Sequence, residues 1–282
     1  MNKQKIKSIF FQLIQLAVLI STVVLVGCEK IVNIDLNDAA PVIVIYGAVS
    51  DSTGPYYVSV GQTGSYYSPA VLNPVTQAGV IISDNLGNRD TLTESNPGIY
   101  KTVHLMGVPT RTYNLSVTAL GKNYSAVSAM PRHVAIDSIS LIHAPSFGFG
   151  RNRGTVQYDL YCYFQDPGGR NYYRLKNILN DTAQNKRYTL FDNQYMSGER
   201  IQLSAGRVKA GDTCQIELLC IDYATYEYYL TLRDLVDQNP IFGGTPANPN
   251  TNMQNGALGD FSAWAISYRT IIINDSLINT IP

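Results

Sequence analysis

The chain has 282 residues, 21 Lys and Arg against 21 Asp and Glu, and only 15% of its residues are charged. That charge content lies below the ~25% usual for soluble domains, and a net charge of zero excludes the basic footprint of a nucleic-acid binder. With 22 Gly, 13 Pro and 45% hydrophobic residues the composition excludes collagen-like or low-complexity disorder, and it supplies apolar material for two modest cores.

Lys3, Lys5 and Lys7 precede an uncharged, largely apolar run from Ile9 to Val26. This is the pattern of an export signal. The run also approaches the ~18–20 residues that span a bilayer, a reading weakened by Gln12 and Gln15. It ends in Leu25-Val26-Gly27-Cys28, which resembles the bacterial lipobox: a branched apolar residue three before Cys, a small one just before it, and Cys as the first mature residue. The expectation is a signal peptide over 1–27 and a lipid on Cys28. Acyl chains at ~0.8 kcal/mol per buried CH₂ anchor a protein without a transmembrane helix. Without residues 1–27 the chain carries 18 basic and 21 acidic residues.

Residues 28–40 read as a tether. Short β-branched and aromatic runs with turn residues between them then predict strands at 42–46, 57–61 and 79–83. Asp84-Asn85-Leu86-Gly87-Asn88 turns the third into a hairpin with Asp90-Thr91-Leu92-Thr93, and Asn96-Pro97-Gly98 places Pro and Gly as a type II turn requires. Tyr113–Val117 alternates, Gly121-Lys122-Asn123 turns, and Tyr124–Met130 runs to Pro131. About seven short strands in ninety residues predict an immunoglobulin- or transthyretin-like β-sandwich over 41–131.

Alternation restarts at Ile136, predicting a second β-rich domain over 132–282. Thr155–Phe164, Tyr172–Leu175, Tyr188–Phe191 and Thr213–Ile221 read as strands. The period then changes: Asp222 is placed to cap a helix over 223–238 in which Tyr226, Tyr229, Leu230, Leu232, Leu235 and Val236 recur at three- and four-residue spacing, stopped by Asn239-Pro240. An irregular loop over 240–259, rich in Pro, Asn and Gly, precedes a last strand near 264–273. A loop of that length is usually functional or mobile.

These features in order resemble one family of Bacteroidota lipoproteins, the family of domain of unknown function 4249 (DUF4249). The lipobox, the Gly79–Asp84 hairpin with Pro97-Gly98-Ile99-Tyr100, Asp166-Pro167 before Tyr172-Tyr173, the Tyr-rich helix, Asn239-Pro240-Ile241-Phe242 and Asn252–Phe261 carry the resemblance. The chain departs from it with Ile241 inside the Asn-Pro-Phe pattern and with Asp260 where an aromatic is more usual. The resemblance implies an outer-membrane lipoprotein whose relatives often sit beside TonB-dependent transporters, and no established reaction.

The residues themselves point to no reaction either. Gly-x-Ser-x-Gly, P-loop and His-Glu-x-x-His patterns do not occur, and His104, His133 and His143 have no sequence neighbour that makes a triad or a ligand set with the cysteines. The expectation is therefore a non-enzyme without cofactor or metal. Cys162, Cys214 and Cys220 fall in period-two rows, either as free buried thiols or with one disulfide from Cys162 to one of the others. The 20 Tyr are the one compositional excess, read either as strand formers or as a contact surface. Tyr66, Tyr67, Phe242, Asn252 and Phe261 are the candidate partner or ligand surface, on the Tyr66-Tyr67 loop and the 240–259 loop. The leading functional expectation is a lipid-anchored outer-membrane binding or accessory module working with a TonB-dependent transporter or another β-barrel partner. The alternative is a structural or adhesion-type scaffold.

Overall fold

Apolar side chains at every second position build this molecule strand by strand. The computed structural model describes residues 40–64, 72–144, 157–180, 182–183, 189–236 and 248–274, together with Gln15. Contacts divide the chain into Met1–Ala39, of which Gln15 alone is described, and Ala40–Pro282. The leader, Cys28 and the tether expected before residue 40 lie outside the described residues.

In chain order the strands are β1 (Ile43–Ser50), β2 (Tyr57–Gln62), β3 (Asn73–Pro74), β4 (Gly79–Asp84), β5 (Arg89–Thr91), β6 (Thr93–Asn96), β7 (Ile99–Lys101), β8 (Thr112–Ala119) and β9 (Lys122–Ala129). They continue with β10 (Ser138–His143), β11 (Gln157–Gln165), β12 (Tyr172–Leu179), β13 (Thr182–Ala183), β14 (Thr189–Asp192), β15 (Arg200–Lys209) and β16 (Thr213–Ile221). Helix α1 (Tyr223–Val236) and the long strand β17 (Leu258–Ile272) close the described chain. The protein is mostly β with one helix in the Ala40–Pro282 unit among the described residues, as the alternation predicts.

The strands form a four-stranded sheet β5-β4-β8-β9, a three-stranded sheet β10-β11-β15, and a ten-stranded sheet ordered β13-β12-β16-β17-β1-β2-β7-β6, with β14 beside β12 and β3 beside β2. In the four-stranded sheet Val80, Ile82, Leu115 and Val117 point inward, matched from the large sheet by Ile45, Val49, Val58 and Val60, all 2% exposed or less. Leu160, Cys162 and Phe164 of β11 join the same core as Ile216 and Leu218 of β16. Each such side chain contributes about 1.5–3 kcal/mol by leaving water. Cys162, Cys214 and Cys220 are free and buried, and burial pushes all three thiols up to about 12, the behaviour of small hydrophobes.

One strand ties the large sheet together. The N-terminal half of β17, Leu258–Trp264, lies parallel to β1, and its C-terminal half, Ala265–Ile272, runs antiparallel to β16. The ten-stranded sheet therefore joins strands from both of the expected ranges, 41–131 and 132–282. β17 also begins earlier than the sequence suggests, because Gly259 adopts a φ of +109° and its Cα sits where an added Cβ would lie 1.9 Å from the Ile45 carbonyl oxygen. Only Gly allows that approach.

Local chemistry behaves as the turn and cap residues dictate. Gly98 has a φ of +72°, as a type II turn needs, and Asp84 Oδ1 accepts the Leu86 and Asn88 N–H groups to fold the hairpin. Asp222 Oδ1 accepts the Thr225 N–H at 2.9 Å and so caps α1, while its Oδ2 accepts Ser128 Oγ–H and the Ala129 N–H, fastening the helix start to β9. The last two residues of the expected helix, 237–238, lie outside the described residues, as do 240–247 of the expected loop.

Candidate functional site

The inward residues of β1, β2 and β17 belong to the core, so the alternate residues stand on the opposite face. Tyr46 and Ala48 of β1, Tyr57 and Ser59 of β2, Ile99 of β7, and Asp260, Ser262 and Trp264 of β17 share that face. Register aligns them: Tyr46 is opposite both Asp260 and Ser59, and Ala48 is opposite Ser262. Tyr229 of α1 completes the lining of an open cleft of about 300 Å³.

Aromatic contacts hold the helix over the sheet. Tyr46 and Tyr228 meet edge to face at 6.4 Å between ring centroids, and Tyr228 meets Tyr229 at 5.2 Å. Farther along, Tyr172 of β12 lies 5.3 Å from Tyr223 and 5.0 Å from Tyr226. Tyr172 thus meets the tyrosines at the start of α1. Two cations sit on the aromatic surface: the Arg174 guanidinium is 3.8 Å from the Tyr229 ring centroid, and Lys176 Nζ, 3.4 Å from Glu217 Oε2, is 5.8 Å from that of Trp264.

Asp260 is the chemical centre of the cleft. It is 4% exposed; Ser262 Oγ–H donates to its Oδ2, and its Oδ1 accepts no hydrogen bond among the described residues. Burial and the nearby Asp222 charge raise its pKa, the Ser262 bond and Arg174 lower it, and burial prevails, pushing the carboxyl up to about 7. Tyr228 is also held well above the usual phenol range, by burial first and then by Tyr46 and Asp260. A buried carboxyl oxygen without a donor costs roughly 1–3 kcal/mol, a cost that a bound donor would offset.

Of the residues singled out from the sequence, Asn252 and Phe261 are described, and they fall elsewhere. Tyr66, Tyr67, Phe242 and Cys28 lie outside the described residues. Phe261 is fully buried on the core side of β17 and offers no surface. Asn252 is spent on that strand: its Nδ2 donates to the Phe261 carbonyl at 2.6 Å and its Oδ1 accepts the Phe261 N–H at 3.0 Å. Thr251 Oγ1–H donates to the Gly259 carbonyl, and the Ala263 N–H donates to Ser128 Oγ, so residues 251–252 and β9 line the second edge of β17 with side-chain bonds. The cleft residues Tyr46, Asp260 and Trp264 were missed. Asp260-x-Ser262-x-Trp264 does carry a period-two signal, but its partner Tyr46 is more than two hundred residues away in a parallel pairing that no local pattern reveals.

A second buried carboxylate is structural. Asp166 accepts the Gly168 and Gly198 N–H groups at 2.9 and 2.8 Å, Asn193 Nδ2–H at 2.9 Å, Asn171 Nδ2–H at 3.2 Å and the Tyr173 hydroxyl. Burial pushes its pKa upward, but these donors together hold it below the usual carboxylate range.

Fold and cleft define a mostly β protein with a helix laid across one open sheet face. The chain belongs to the family described as Domain of unknown function (DUF4249), whose model matches residues 29–270. No curated protein matches it. Among solved structures it is similar to the adhesin InvE of Yersinia pseudotuberculosis at 16% identity and a TM-score of 0.21, over 64% of this chain and 55% of that one. The chain therefore spans a little over half the length of that protein. Among the described residues no helix is long and apolar enough to cross a membrane.

Proposed function

We propose that this protein is a non-enzymatic binding module, held at the outer membrane by lipid on Cys28, which serves a TonB-dependent transporter or another envelope β-barrel. One observation carries the binding part: the cleft beneath α1, where Tyr46, Tyr57, Tyr229 and Trp264 share the lining with a buried carboxyl that has one oxygen unpaired among the described residues. Aromatic faces around a few placed polar groups are the usual make-up of a recognition site. The anchor rests on the leader and lipobox. A lipid tether confines the module to the membrane plane and raises its effective concentration toward other membrane proteins, so a weak interface stays occupied.

The test has two arms. Radioactive fatty acid should label the wild-type protein and leave Cys28→Ala unlabelled; equal labelling of both removes the anchor. A C-terminally tagged chain, purified from gently solubilised membranes, should enrich a β-barrel protein over the Cys28→Ala control. Enrichment only of further copies of this chain would instead support the scaffold reading.

A further inference from the structure

The cleft beneath α1 also carries information about what it would hold. It is a built site: Asp260 lines it, is 4% exposed, and has Oδ1 without a hydrogen-bond partner among the described residues. Ser59, Ser262 and the half-exposed Tyr46 and Tyr57, 41% and 52% exposed, line the same cleft.

The charge arrangement separates the ligand classes. An organic cation would seek the ring faces and the carboxylate together. Here the protein's own cations already take two of the rings, Arg174 on Tyr229 and Lys176 near Trp264, and Arg174 also acts on Asp260. A third cation would meet repulsion from both. An anion would face Asp260. A neutral ring with apolar C–H faces and several hydroxyls meets neither penalty: its C–H face stacks on Tyr46 or Tyr57, and its hydroxyls donate to Asp260 Oδ1 and exchange hydrogen bonds with the serines. A volume of about 300 Å³ is at the lower end of small-ligand sites, the size for a short glycan.

We infer that this cleft is a binding site for neutral carbohydrate, with Tyr46 and Tyr57 as the stacking platform and Asp260 as the hydroxyl acceptor. The inference rests on the binding-module reading and names the ligand class of the same site.

The single Trp of the chain, Trp264, lies in the cleft, so its fluorescence reports on occupancy directly. The full chain in mild detergent would be titrated with neutral trisaccharides of glucose, mannose, xylose and N-acetylglucosamine up to about 10 mM, and in parallel with tetramethylammonium chloride. At least one sugar should give a saturable change, weakened about tenfold or more by Tyr57→Ala and by Asp260→Asn, with circular dichroism confirming that both variants fold. The inference is overturned if no sugar responds, if only the ammonium ion does, or if the response survives both substitutions. Loss of the sugar response while the tagged wild-type chain still captures a β-barrel would sink the carbohydrate assignment and leave the binding module standing.

Discussion

Asn252 supplies Phe261 with the two backbone hydrogen bonds that a neighbouring strand would otherwise provide, one donated and one accepted. The segment preceding β17 is irregular in backbone yet pinned through its side chains. Asn252→Ala leaves a buried N–H and a buried C=O unpaired, so it should cost about 2–4 kcal/mol in urea unfolding. Asn252→Asp keeps the acceptor and should cost less. A midpoint unchanged in both variants would show that the contact is incidental.

Asp260 should give the protein an unusual pH dependence. Its carboxyl sits at about 7 in the folded chain against 3.8 in the ordinary state, so folding favours the proton. The stabilisation is full below about pH 4 and is lost as pH rises through about 7, for a total on the order of 4 kcal/mol. The charged and titratable groups facing it, Arg174, Asp222 and Tyr228, act on it throughout. Asp260→Asn should be markedly more stable than wild type at pH 8 and close to it at pH 4. Unfolding midpoints at both pH values check this, and a difference that is the same at each would contradict it.

Asp166 should behave with the opposite sign. Its pKa is depressed, so its contribution is present above the ordinary carboxylate range and disappears as pH falls through the folded value. Asp166→Ala strips the acceptor from Gly168, Gly198, Asn193 and Tyr173, and should destabilise the protein by about 3–5 kcal/mol at pH 7. The gap to wild type should narrow in acid denaturation below about pH 4.

Gly259→Ala should break the junction between β1 and β17. An added Cβ would stand 1.9 Å from the Ile45 carbonyl oxygen, and the φ of +109° disfavours any L side chain. Expected loss exceeds about 4 kcal/mol, read as insoluble expression or a collapsed unfolding midpoint. Gly87→Ala is the control: its φ is also positive, but its Cβ meets nothing within 4 Å, so only the backbone penalty of about 1 kcal/mol should appear.

The fragment 31–131 tests how far the first sandwich stands alone. It lacks β17 and so leaves the edge of β1 from Val44 to Ser50 unpaired. Such an edge is a template for aggregation. The fragment alone should lack a cooperative transition, and a peptide of residues 248–265 supplied in trans should restore one, measured by circular dichroism. Cooperative unfolding of the fragment alone would show that the sandwich is autonomous.

The sequence by itself determined what depends on near neighbours. Alternation in Tyr113–Val117 marked a strand, Pro97-Gly98 a turn, Asp222 a helix cap, and the period-two rows around Cys162 and Cys214 placed those thiols in the core, because each signal is written within a few residues of where it acts. The cleft was decided only by the tertiary structure. Asp260 lies beside Tyr46 because β17 returns to pair in parallel with the first strand, and Phe261, which reads as surface in an Asn- and Gly-rich stretch, is buried by the same pairing. Parallel pairing between the two ends of a chain leaves no local signature, since its hydrogen bonds are to backbone that every residue carries, and only the folded sheet fixes which side chains then share a face.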